Sequence, residues 1–252
     1  MNREQGKIGY DRQIRLAWLD ATADLVAQGL SIQEIRLQLD HLLDGEVAGT
    51  DSRSAKGKTK TVLLHIWALS PEYLKPLRDE GLALIRQRPN DCRIVVHWGM
   101  CIASYPFFRI VAEAVGRLVK LQGEVAGAQV QRRVQEVFGA RETVSRAVRR
   151  VLRSFVEWGV LQETDEKGVY RAGAVLPVKD HNLTAWLVEA ALISQGSNAS
   201  ALTAITQSPF LFPFILDSLN TKQLENSVRL ELLRQGLNQD VVKLRAAAAK
   251  SH

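Results

Sequence analysis

The chain has 252 residues, of which 46% are apolar and 24% charged, and its formal net charge is +6. These values are ordinary for a folded protein of one larger helical body or two to three small domains, and the basic balance favours acidic partners. Aromatic residues make up only 6% of the chain, which argues against a platform that stacks many single-stranded bases.

The sequence also argues against several locations and cofactors. No apolar run approaches the roughly 18–20 residues of a membrane span, and the polar first residues lack a signal core. Cys92 and Cys101 are the two cysteines, and they lack the spacing of a zinc site. We therefore expect a cytoplasmic protein with no membrane partner, no metal and no other cofactor.

Helical signals fill residues 1–105, which we predict to form a helical N-terminal region. Residues 11–28 have helical periodicity, and Ser31 to Glu34 read S-I-Q-E, a capping box that begins a second helix. Further helices are predicted over 61–69, from Pro71 onward and over 94–105.

The polar stretch from Gly45 to Lys60 is predicted to be a loop. It contains the segment GKTK, which is not a phosphate-binding P-loop because the first glycine of the GxxxxGK[ST] pattern is missing. One interpretation is a solvated, mobile loop, and the other is a flexible arm that contacts phosphates. The candidate contacts of that arm are Arg53, Lys56, Lys58 and Lys60.

Residues 106–175 have the pattern of a winged helix-turn-helix. A helix over 107–121 precedes a helix from Gln129 to Phe138, a turn at Gly139 and a second helix from Glu142 to about Trp158. Two strands then follow, over 160–164 and 169–172, with a polar turn between them. Helix, turn, helix and hairpin in that order are typical of this DNA-binding fold.

The second of these helices carries an arginine stripe. Arg146, Arg149, Arg150 and Arg153 share one face at spacings of three, four and seven residues, and apolar side chains occupy the opposite face. Residues 129–155 contain seven arginines and two acidic residues, an excess that a polyanion would neutralise. The stripe therefore predicts binding to double-stranded DNA. The alternatives are a solvated face paired with nearby acids, Glu136, Glu142 and Glu157, or a surface for an acidic protein.

The second helix of such a module enters the major groove, and the flanking elements contact the backbone. Arginine suits guanine or phosphate, and serine or threonine reach either. We predict DNA contacts from Arg132, Arg133, Arg141, Thr143, Ser145, Arg146, Arg149, Arg150, Arg153 and Lys167.

Residues 176–252 are predicted to form a second winged-helix-like module and a tail. Helices are expected over 183–194, over 198–205 and from Ser208 through FLFPFILDSL, followed by a hairpin of residues 228–232 and 241–244. The predicted fold class is thus mainly α, a helical N-terminal body with winged helix-turn-helix modules and short β-hairpin wings.

Signals for catalysis are weak. The five histidines are scattered, and no GxSxG, HExxH or GxGxxG motif is present. We expect His65 and His97, in apolar segments, to be core histidines, and we expect no catalytic residues and no enzyme activity.

Several segments of the chain resemble the BrxA family of bacterial BREX phage-defence systems. They are HIWALSPEYLKPLRDEGLALI, VVHWGMCIASYPFFRIVAEAVGRL, RETVSRAVRRVLRSFVEWGVL, SPFLFPFILDSL and VRLELLRQGLNQDVV. The resemblance implies a small, mostly helical, non-enzymatic DNA-binding component that works beside methyltransferase and ATPase partners in phage defence.

Two other functions stay open at the level of sequence. A winged-helix transcriptional regulator would need dimerisation and spaced half-sites, and no long heptad run supplies a dimer interface. A scaffold would dock other proteins through the same basic face without binding DNA.

Overall fold

The computed structural model describes residues 8–87, 93–219, 223, 227–235 and 239–245. Over these residues the protein is mainly helical, at 60% helix, with a few small sheets. Eight short strands form two three-stranded sheets and one two-stranded sheet. The predicted mainly α class is therefore confirmed at that level.

Five helices make up the N-terminal body. They are α1 (Leu16–Ala27), α2 (Ile32–Leu43), α3 (Ala55–Trp67), α4 (Lys75–Gln87) and α5 (Arg93–Ser104), and a 3-10 turn at Glu72–Leu74 leads into α4. The predicted capping box at the start of α2 is confirmed. The Ser31 hydroxyl accepts from the Glu34 amide, and the Glu34 carboxylate accepts from the Ser31 amide at 2.8 Å. Local chemistry thus fixes where this helix begins.

The predicted loop from Gly45 to Lys60 is wrong over its second half, because α3 already begins at Ala55. The Ser54 hydroxyl caps this helix by accepting from the Gly57 amide at 3.2 Å. Gly57 has a structural reason to lack a side chain, since a Cβ there would lie 2.4 Å from the carbonyl oxygen of Asp51. The glycine of the GKTK segment therefore lets the preceding loop pack directly on the helix.

Residues 106–172 form three helices and a small sheet. The elements are α6 (Pro106–Gln122), β1 (Glu124–Ala126), α7 (Gly127–Phe138), α8 (Glu142–Glu157), β2 (Leu161–Glu163) and β3 (Val169–Ala172). The strand order is β1-β3-β2, and all neighbours are antiparallel. Gly139 separates α7 from α8 with a φ of 85°, in the region where glycine is favoured.

The C-terminal elements depart from the prediction at two places. They are β4 (Leu176–Val178), α9 (His181–Ser194), β5 (Ala199–Ala201), α10 (Leu202–Thr206), β6 (Phe214–Leu216), β7 (Leu230–Gln235) and β8 (Gln239–Leu244). The predicted helix over 198–205 begins with a strand, β5. The hairpin of β7 and β8 is present, and β8 takes in residues 239 and 240 of the turn expected over 236–240. The rest of that turn, 236–238, and the tail from residue 246 lie outside the described residues.

The predicted helix from Ser208 through FLFPFILDSL is also wrong. A 3-10 turn spans Pro209–Leu211, and the chain then extends into β6, which runs parallel to β4. Proline has no amide hydrogen to continue a helix. The Pro213 carbonyl instead accepts from the Leu176 amide at 2.7 Å, so the proline marks the start of sheet pairing.

One hydrophobic core runs through all three predicted domains. Trp186 of α9 inserts between N-terminal helices, where its indole N–H donates to the Leu77 carbonyl at 2.9 Å. Gly99 makes room for that ring, because a Cβ there would lie 2.3 Å from it. Trp98 of α5 stacks on Phe155 of α8 with ring centroids 5.0 Å apart. Large aromatic side chains thus join the elements across the predicted boundaries.

The residues before α1 fasten α8 to the N-terminal body. We call residues 11–16, which end at the first residue of α1, the N-terminal strap. The Ile14 amide donates to the Ser154 hydroxyl at 2.8 Å, and the Trp158 indole donates to the Ile14 carbonyl at 2.9 Å. The Leu16 amide donates to the Glu157 carboxylate at 2.9 Å. These bonds hold the C-terminal half of α8 from one side.

Within the described residues, no individual helix has both the length and the apolar character needed to cross a membrane. The consecutive helices α5 and α6 pass that test only as a pair, and they meet at a bend of 117°.

Candidate nucleic-acid interface

Helix α8 has one buried and one basic face. Its apolar side chains lie in the core, and Arg146, Arg149 and Arg153 are exposed on the other side. The buried set is Val144, Ala147, Val148, Val151, Leu152 and Phe155. The predicted amphipathic pattern is therefore the pattern of the folded helix, and packing of its apolar face holds the three guanidinium groups outward.

Several exposed cations of this region have no ion pair with any described residue, and they include Arg132 and Arg133 on α7, Arg153 on α8 and Lys167 in the turn between β2 and β3. Arg153 lies near Tyr170 of β3. Burial, followed by the Glu163 charge, raises the pKa of Tyr170, and Arg153 opposes that rise. The free charges thus extend from α7 across α8 toward the hairpin.

Glu142 is the acid that contacts the arginine stripe of α8. Other exposed acids nearby in the fold are Glu136 on α7 and Glu163, Asp165 and Glu166 of the hairpin. The Glu142 carboxylate accepts from Arg149 Nη2 at 2.9 Å, and the same oxygen lies 3.8 Å from Arg146 Nε. All three side chains are about half to two-thirds exposed, so these are weak surface pairs. Glu157, the other acid on α8, is occupied by the strap.

Three further predicted contact residues have partners inside the protein. Arg150 Nη1 donates to the Asp11 carbonyl at 2.6 Å, so this guanidinium holds the strap. Ser145 is buried, and its hydroxyl accepts from Gln135 Nε2 at 2.8 Å. Arg141 is exposed but donates to the Phe138 carbonyl at 3.0 Å. Of the predicted α8 residues, Thr143, Arg146, Arg149 and Arg153 remain at the surface.

The basic residues predicted to form a phosphate-contacting arm are divided by the fold. Lys56 is buried, with its Nζ 2.6 Å from Asp44 and 3.6 Å from Asp40, and Lys60 Nζ lies 2.5 Å from Asp40. The hydrogen bond to Asp44 raises the pKa of Lys56, and the hydrogen bond from Lys60 lowers the pKa of Asp40. Two of the four cations therefore serve to join α2 to α3, while Arg53 and Lys58 are exposed.

Sequence reasoning did not select Arg171 as a site residue. It lies exposed on β3 opposite Gln162 of β2, to which its Nε donates at 3.1 Å. The signal was its place in a short strand beside the predicted turn, where alternate side chains face solvent. Arg171 adds a cation to the hairpin side of the basic surface.

His97 is a buried core histidine, which confirms the expectation for this residue. Burial lowers the pKa of His97, and its Nε2 donates to the Asp20 carboxylate at 2.9 Å. Arg93 Nη1 lies 3.0 Å from the same oxygen. This network joins α1 to α5. No group of three or more potential metal-ligating side chains occurs within the part of the chain that the structure describes.

Comparisons of the chain with protein-family models, with curated proteins and with solved structures gave no match.

Proposed function

We propose that residues 106–172 form a winged helix-turn-helix that binds double-stranded DNA, with α8 as the helix that enters the major groove. The order of elements supports this proposal. Helices α7 and α8 are joined by a short turn at Gly139, and a hairpin of β2 and β3 follows at once. Strand β1 pairs with β3, so the hairpin is anchored to the segment before α7. This order of elements matches that fold.

The observation that carries the proposal is the basic surface of α7 and α8. Exposed arginines at i,i+4, such as Arg149 and Arg153, repel each other by a few tenths of a kcal/mol. Phosphates along the stripe would convert that repulsion into attraction and release condensed counterions. Glu142 compensates only part of the charge, because several exposed cations of α7 and α8 have no ion pair with a described residue.

Position along α8 suggests how the contacts divide. Thr143, Arg146 and Arg149 lie in its first half, which meets base edges in related docking geometries. Arg153, together with Arg132 and Arg133 on α7, is placed for phosphates. Lys167 and Arg171 belong to the hairpin and would reach a flanking phosphate.

The resemblance to the BrxA family supports a wider proposal, a non-enzymatic cytoplasmic component of a BREX-type phage-defence system. Its support is the set of resembling segments, two of which form α5–α6 and α8. Co-purification with the neighbouring methyltransferase or ATPase, with and without nuclease, tests it. A complex that forms only through DNA, or no complex at all, would count against a direct partnership.

The proposed DNA binding is tested by titrating the protein against a labelled random-sequence duplex at several salt concentrations. We expect micromolar or tighter binding, with log affinity falling linearly against log salt. No binding at low salt would contradict the proposal and would favour a protein-docking surface. A footprint on a palindrome would instead favour a transcriptional regulator.

A charge-reversal variant then tests the helix. Arg146→Glu combined with Arg153→Glu should weaken duplex binding by about 100-fold or more, because two cations become anions on the stripe. Arg150 is left intact, since its contact with Asp11 makes it a structural residue. The matched control, Arg36→Glu with Lys75→Glu, makes the same charge change on α2 and α4. Equal losses in both variants would show a net-charge effect and remove α8 from the interface.

A further inference from the structure

The carboxylate of Glu142 is out of place on a surface that only neutralises phosphates. It lies at the first position of α8, two-thirds exposed, between the guanidinium groups of Arg146 and Arg149. Facing a duplex, it would repel phosphates and compete with them for both arginines. A surface built for the backbone alone would bind more tightly without it.

Base edges give this carboxylate a partner. In the major groove, cytosine presents the N4 amino group as a donor, whereas guanine N7 and O6 and thymine O4 are acceptors that repel a carboxylate. Adenine has a donor at N6, but its N7 acceptor lies beside it. Among the four bases, cytosine therefore suits Glu142 best.

The neighbouring arginine complements this choice. Guanidinium donates to guanine O6 and N7, and within one C·G pair the guanine O6 lies next to the cytosine amino group. The 2.9 Å hydrogen bond from Arg149 Nη2 to the Glu142 carboxylate holds an acceptor, the carboxylate, beside a donor, the guanidinium. Arginine has five N–H donors, so Arg149 can keep Glu142 in place and still donate to a base.

We propose that Glu142 and Arg149 together read a C·G base pair in the major groove, with the carboxylate accepting from cytosine N4 and the guanidinium donating to guanine. This reading rests on the proposed binding of duplex DNA through α8. It makes the protein a selective binder at one base pair within a largely phosphate-dominated interface.

Selection from a randomised duplex library, followed by affinity measurements on single-position variants, tests the reading. The wild type should prefer C·G at one position by about tenfold. Glu142→Ala should lose that preference and bind random duplexes a few-fold more tightly, because an anion is removed. Glu142→Gln should shift the preference toward A·T, since a carboxamide can pair with adenine N6 and N7.

Glu136→Ala is the matched control, an exposed acid on α7 whose removal changes the charge by the same amount. It should raise affinity for all duplexes and leave the base preference unchanged. A C·G preference that persists in Glu142→Ala, or a wild type that binds duplexes with no base preference, would overturn the reading.

A purely structural role of Glu142 would give a different pattern of results. Acidic residues in the first turn stabilise a helix through its dipole. In that case substitution of Glu142 would lower the melting temperature and leave the selected sequence unchanged, which would overturn the reading. A wild type that binds no duplex at low salt would instead remove the proposed function, and the reading with it.

Discussion

Two regions of the molecule, residues 106–172 and 181–244, place similar elements in the same order. Each has a helix, a short strand, a second helix and a later hairpin, and in each the last hairpin strand lies at the centre of a three-stranded antiparallel sheet. The first region inserts the 16-residue helix α8 before its hairpin. In the second, the described residues between α10 and β7 include a 3-10 turn and β6 and no helix comparable to α8.

The two regions also use their cations differently. In the second region Arg229 donates to Glu189 and Glu80, and Lys243 and Arg245 both lie near Glu231. In the first, several arginines have no acidic partner among the described residues. The comparison teaches that strand order alone does not indicate an interface. The first region is distinguished by exposed arginines that have no acidic partner among the described residues.

The largest effect is expected where the second region is fastened to the body. Arg229→Ala should lower the free energy of unfolding by about 3–5 kcal/mol, because it leaves the buried Glu189 carboxylate without its 2.7 Å partner. Chemical denaturation measures the change. Arg234→Ala, at an exposed position of the same hairpin, is the control and should stay within about 0.5 kcal/mol. A small loss of unfolding free energy in Arg229→Ala would mean that the cations of the second region also contribute little to stability.

A smaller effect sharpens the contrast in binding. Arg132→Ala with Arg133→Ala should reduce the slope of log affinity against log salt by about 1.8, since each phosphate contact contributes about 0.9. Arg234→Ala with Lys243→Ala removes the same charge from the second hairpin and should leave the slope nearly unchanged. Equal reductions would show that both regions contact the duplex.

Stability in the second region should also depend on pH. Burial raises the pKa of Glu189 to about 7, against the opposing charge of Arg229 and with Glu80 nearby. Between its ordinary value and about 7 the folded state holds more protons, so the free energy of unfolding should fall as pH rises, by about 3 kcal/mol across that range. Urea midpoints of wild type and Glu189→Gln measure it. Parallel pH profiles for the two proteins would rule out this carboxyl as the cause.

The fold could be predicted where the signals are local. The capping box at Ser31, the glycine after α7 and the 3.6-residue period of α8 each act within a few residues of chain. The prediction of a helix from Ser208 was wrong because residues 214–216 pair with β4, nearly 40 residues earlier in the chain. That pairing outweighs the local preference of a short apolar segment.

The candidate site shows the same limit for charged side chains. The exposure of the α8 arginines could be predicted from the 3.6-residue period of the helix. The roles of Lys56 and Arg150 cannot be read from it, because their partners are Asp44, directly after α2, and the Asp11 carbonyl, 139 residues away. The sequence shows that a lysine or arginine can donate hydrogen bonds, but it does not show which acceptor the side chain meets. Only the fold shows whether that side chain already binds a carboxylate or a carbonyl of the same chain.

The N-terminal strap has a consequence for the synthesis of the protein. Ile14 and its partner Ser154 are separated by 140 residues. At roughly 5–20 residues per second on the ribosome, that separation corresponds to about 7–28 s. During this time the strap is already made while the helix it fastens does not exist. The strap can therefore bind α8, the helix proposed to contact DNA, only after the whole N-terminal body has been synthesised.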